Sequence, residues 1–147
     1  MAPLIALLGG VALARLAGLC GVHTLDGWYP ALRLGLALMF VVTGVAHFSR
    51  ARRRELIAMV PPRLPRPDLL VTVTGVLELA GAAGLLLPAA ARWCAAGLGL
   101  LMVAMFPANV SAARRHLALG GHPVTPLLPR TALQVLFVAT AAAVAVG

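Results

Sequence analysis

Long apolar runs recur five times along the chain, separated by short polar stretches. They cover about residues 3–21, 31–48, 69–88, 92–113 and 130–146. A helix of roughly 20 residues rises about 30 Å, the thickness of a bilayer's hydrocarbon. The pattern therefore predicts an all-α, polytopic transmembrane helical bundle forming one domain. The first run has Ala12-Leu13-Ala14 where a signal peptide would be cut, but no positive residue precedes its apolar part. Leu19 also stands where a lipoprotein would need a small residue before its cysteine. A retained first helix is expected. Trp28 and Tyr29 end the following loop and suit a membrane–water interface.

The polar stretches divide by charge. All 12 basic residues are arginine, and net charge is +8. Arg50, Arg52, Arg53, Arg54, Arg63 and Arg66 lie between the second and third runs, and Arg114, Arg115 and Arg130 flank the loop between the fourth and fifth. By the positive-inside rule, both loops face the cytoplasm. This predicts a bacterial cytoplasmic (inner) membrane protein, N-terminus inside and C-terminus outside. Residues 49–60 can form a short amphipathic turn or helix, with Leu56, Ile57, Met59 and Val60 dipping into the membrane surface. Four prolines between 61 and 67 exclude regular helix in the second half of that loop. The expected partner of these arginines is an anionic leaflet, with a soluble acidic protein as the alternative. Nucleic acid is not expected, because the arginines border hydrophobic runs and no nucleic-acid motif accompanies them.

Composition agrees. The chain is 61% hydrophobic and 11% charged, with mean hydropathy +0.97. That is too few charges to cover a soluble surface.

Glu78 is the one carboxylate inside an apolar run, and a charge at that depth must be paired, neutral or wet. Thr74 and several small residues share its face. Arg33 and Arg15, both in the outer half, are the expected partners of Glu78. A structural ion pair stands ahead of a proton-accepting or ligand-binding carboxylate. Arg33 and His47 lie on one stripe of the second helix with Ala37, Phe40 and Gly44. His47 and Asn109 fall near the inner ends of their helices, where they could meet as a quinone headgroup site. Helix-end hydrogen bonding is the plainer reading, with Asn109 relieving a carbonyl freed by Pro107. Cys20 and Cys94 both fall near the outer surface. They are read either as a redox pair or as separate small apolar residues.

A haem held by two histidines is not expected, since His47 alone lies within a predicted membrane helix. His116 and His122 lack a nearby cysteine or carboxylate to complete a metal site. No cofactor other than a quinone is suggested.

Four motifs in order resemble the DoxX family of small bacterial membrane proteins. They are GVAHF at 44–48, MVPPRLPRP at 59–67, TGVLELAGAAGLLLP at 74–88 and FPANV at 106–110. The resemblance spans roughly residues 31–146. It implies a four-helix antiparallel core, to which the first helix is an addition. The family takes its name from a small membrane subunit of a thiosulfate:quinone oxidoreductase, and some members are associated with thiol or redox stress.

Three function classes remain, in this order. The first is a non-catalytic accessory or scaffold subunit of a membrane assembly, possible partners being another membrane protein or a second copy. The second is a quinone- or thiol-linked membrane oxidoreductase. The third is a small-molecule carrier or channel.

Overall fold

A computed structural model describes residues 1–119, 122–123 and 125–147. Gly120, Gly121, Val124 and the side chains of Leu119, His122 and Pro123 lie outside the described residues. Among the described residues there are six α-helices: α1 (Ala2–Leu19), α2 (Trp28–Phe48), α3 (Arg50–Met59), α4 (Pro67–Leu86), α5 (Ala91–Arg114) and α6 (Leu127–Val146). A 3-10 turn, His23–Leu25, joins α1 to α2, and a two-residue antiparallel pair, Ala118–Leu119 with His122–Pro123, precedes α6. All but α3 are long and apolar enough to cross a membrane.

The helix starts differ from the sequence reading for one physical reason. The second, third and fifth apolar runs begin one or two residues after a proline, yet a missing N–H costs nothing in a helix's first turn. Trp28 and Tyr29 accordingly belong to α2, with Pro30 in its first turn. Pro67 begins α4, after Arg66 in the left-handed region at φ 49°. Pro129 lies in the first turn of α6. Asp68 lies in the first turn of α4, where a carboxylate suits the positive end of the helix dipole.

Helices α2, α4, α5 and α6 close a ring in which each contacts the next, and α6 returns to α2. Helix α1 lies outside this ring, against α2. Neighbouring spans run antiparallel, so the arginine-rich loops share one end of the bundle. Leu36, Met39 and Phe40 of α2, Leu85 of α4, Leu98 and Met102 of α5 and Val144 of α6 fill the centre. Trp28 and Trp93 stand exposed at the opposite end, as interfacial rings do.

Helix α3 forms where an amphipathic segment was expected. Its apolar residues turn inward, however. Met59 is buried, and α3 contacts α2, α4 and α5. It covers the arginine-rich end of the bundle rather than lying free on the surface. Two arginines hold it there. Arg53 donates to the His47 carbonyl (3.2 Å), the Asp68 carbonyl (3.1 Å) and the Thr72 hydroxyl (2.8 Å). Arg115 donates to the carbonyls of Ala58 and Val60, at the other end of α3. Arg50, Arg52, Arg54, Arg63 and Arg66 remain exposed, with Arg52 3.2 Å from Glu55.

Candidate functional site: a buried carboxylate and imidazole

Glycine brings α2 and α4 close enough to bury two titratable side chains. A Cβ on Gly75 would lie 2.6 Å from His47 Cβ, and one on Gly44 only 3.4 Å from Glu78 Cβ. Without side chains at those two positions, His47 fits over Gly75 and Glu78 fits level with Gly44. Glu78 is 2% exposed and His47 7%. Although Glu78 sits near the middle of its own run, it lies only one turn in from the arginine-rich end of α2, because α4 extends beyond that end.

His47 Nδ1 lies 2.8 Å from the Thr43 carbonyl, which fixes a proton on that nitrogen. The same nitrogen is 3.7 Å from Glu78 Oε2. The Thr43 hydroxyl faces the Glu78 carboxyl and also makes a long 3.3 Å bond to the Phe40 carbonyl. Glu78 Oε2 has no hydrogen-bond partner among the described residues. The arrangement is a buried acid–base pair whose carboxyl has one unengaged oxygen.

The expected partners of Glu78 are elsewhere. Arg33 Nε donates to the Leu85 carbonyl at 3.0 Å, and its guanidinium stands over the Tyr29 ring. Leu85 lies two turns of α4, about 10 Å, beyond Glu78. Its carbonyl is one that the end of the helix leaves free, and it draws the cation. Arg15 pairs with Asp26 at 3.5 Å and stands 5.0 Å from the Trp28 ring centre. Gly18 makes that possible by letting the loop at Leu25–Asp26 approach α1 closely. Thr74 turns away from the cluster, donating to the Leu70 and Val71 carbonyls of its own helix.

His47 and Asn109 are likewise engaged with other residues. Asn109 Oδ1 accepts from Arg130 at 2.8 Å, tying α5 to the start of α6. Cys20 and Cys94 are free thiols. Cys20 caps α1, whereas the Cys94 sulfur occupies the space over Gly84 on α4.

Gln134 is a polar residue inside the fifth apolar run. Its amide donates to the Met102 carbonyl at 2.7 Å, joining α6 to α5 next to Val103, whose carbonyl Pro107 leaves without a donor. The signal was available: a proline in one span calls for a donor on a neighbouring one. Gln134→Leu is expected to lower stability in detergent by about 1 kcal/mol, measured by reversible unfolding. Beside this bond, Phe106, Pro107, Thr131 and Val135 line an open, mostly apolar groove of ≈ 520 Å³ between α5 and α6.

The family described as "Domain of unknown function (DUF8561)" matches residues 36–145. The chain belongs to that family. The match takes in α3, α4, α5, most of α2 and all but the end of α6, and it includes both His47 and Glu78. Helix α1 lies before it. No curated protein and no solved structure matches the chain.

Proposed function

We propose that the protein is a non-catalytic accessory or scaffold subunit of a membrane assembly. One observation carries this reading: the polar side chains within the spans are used mainly to tie helices together. Arg33 joins α2 to α4, Gln134 joins α6 to α5, Arg130 joins α6 to Asn109, and Arg15 joins α1 to the following loop. Such cross-ties fix a shape, and they leave few groups to act on a substrate. The similarity of the GVAHF, MVPPRLPRP, TGVLELAG and FPANV stretches to DoxX proteins favours a redox assembly.

The arginine distribution favours the bacterial cytoplasmic membrane with the α3 end inside. The exposed arginines of α3 and the 61–66 loop suit an anionic leaflet, each contributing on the order of 1 kcal/mol. Purification in mild detergent followed by native mass spectrometry tests the proposal. The expected result is a second membrane protein at fixed stoichiometry, whose accumulation falls when this chain is withheld. A monomer carrying bound quinone would instead support the oxidoreductase reading, and a homo-oligomer alone would support the carrier.

A further inference from the structure

We propose that Glu78 and His47 form a proton-binding site, which holds one exchangeable proton on one or the other side chain and exchanges it at the α3 end of the bundle. Both side chains are buried where a net charge is strongly disfavoured. Because Nδ1 is committed to the Thr43 carbonyl, Nε2 is the imidazole nitrogen that gains or loses a proton. Two arrangements are neutral overall: a carboxylic acid beside a neutral imidazole, or a carboxylate beside an imidazolium. They differ only in where one proton sits. Removing it leaves a bare carboxylate with an unpartnered oxygen. Uptake is therefore simple protonation, in which hydronium delivers its proton to the pair and leaves as water.

Other charges are held away from the carboxyl on every packed side. On α2, Arg33 sits against Leu85. On α3, Arg53 is directed at the His47 backbone carbonyl, Asp68 and Thr72. On α4 itself, Asp68 lies in the exposed first turn. From α5, Leu98 covers Gly81, and Cys94 covers Gly84. Among the described residues, no arginine pairs with Glu78, and the His47 imidazole, 3.7 Å away, is the basic group beside it. The site suits a proton rather than a metal ion, because no third His, Cys, Asp or Glu joins it among the described residues. His47 is the next-to-last residue of α2, under α3, which places the exchange path at the arginine-rich end.

A hydrophobic carbodiimide applied to the intact protein in vesicles reads this directly. The reagent reacts with a protonated carboxyl: the acid proton moves to the carbodiimide nitrogen, the carboxyl oxygen bonds to its carbon, and the product rearranges to a stable N-acylurea. The expected result, by peptide mass spectrometry, is an adduct on Glu78 but not on Asp26, Glu55 or Asp68. Its yield rises as pH falls and is unchanged by sodium chloride. In His47→Gln the yield stays high to more alkaline pH, because the carboxyl must then hold the proton alone. No adduct on Glu78 at any pH, or a yield indifferent to pH, overturns the proposal. Protection by sodium also overturns it, in favour of an alkali-cation site. The wild-type protein supplies the decisive measurement. An acid-minus-alkaline infrared carboxyl band, present in wild type and Glu78→Asp but lost in Glu78→Gln, confirms it independently.

Discussion

Gly75→Leu is expected to separate α2 from α4 and to cost about 3 kcal/mol of stability, at the upper end of what overpacking usually costs. The first side-chain carbon at that position already meets His47 Cβ at 2.6 Å and His47 Cγ at 3.0 Å. Backbone-anchored atoms such as a Cβ cannot rotate away, so the helices must move apart or His47 must leave. Either outcome opens Glu78 to lipid or water. Gly75→Ala should already show a smaller loss in the same direction. Unfolding in mixed micelles measures both. Equal stability of wild type and Gly75→Leu would mean that the two helices do not meet at this level.

Gly35→Leu has a different expected result: α1 detaches while the four-helix ring survives. At Gly35 an added Cβ would lie 2.7 Å from the Leu7 carbonyl and 2.6 Å from Val11 Cγ2. Gly10, facing it, would meet the Gly35 backbone at 2.8 Å. The two glycines thus allow backbone contact, the mode of helix association that lipid favours. Helix α1 contacts α2 and the 3-10 turn, so its loss leaves the α2–α4–α5–α6 ring contacts in place. Tryptic cleavage after Arg15 reads the change, since that side chain is only 26% exposed while paired with Asp26. Faster cleavage with little change in ring stability is expected.

The five spans and the alternation of the loops were legible because both follow from one-dimensional quantities, run length and arginine count. The inward-facing stripe of α2 was also readable, since helical spacing alone puts Arg33, Ala37, Phe40, Gly44 and His47 together; the last four are buried and Arg33 is half-buried. The partner of Glu78 was not readable in the same way. Depth within a run suggested Arg33 or Arg15, but the register between α2 and α4 decides the contact. That register is set by which glycine admits which side chain. Gly44 and Gly75 bring Glu78 beside His47, and free carbonyls and nearby acids attract the arginines elsewhere. Sequence spacing places neither Leu85 O nor Asp26 beside an arginine. The same holds for Asn109, whose partner Arg130 lies on the next span and was counted only as a topology signal.

Everything proposed for Glu78 depends on that register, and a disulfide tests it most directly. In a background where Cys20 and Cys94 are replaced by serine, two cysteine pairs are compared in native membranes. One is Gly44→Cys with Leu79→Cys, where a Cβ on Gly44 would meet Leu79 Cγ at 2.8 Å; the geometry is close enough for a disulfide. The other is Arg33→Cys with Glu78→Cys. The structure predicts rapid cross-linking of the first pair and none of the second. Cross-linking of 33 with 78, with 44 and 79 remaining as free thiols, would contradict it and return Glu78 to the arginine.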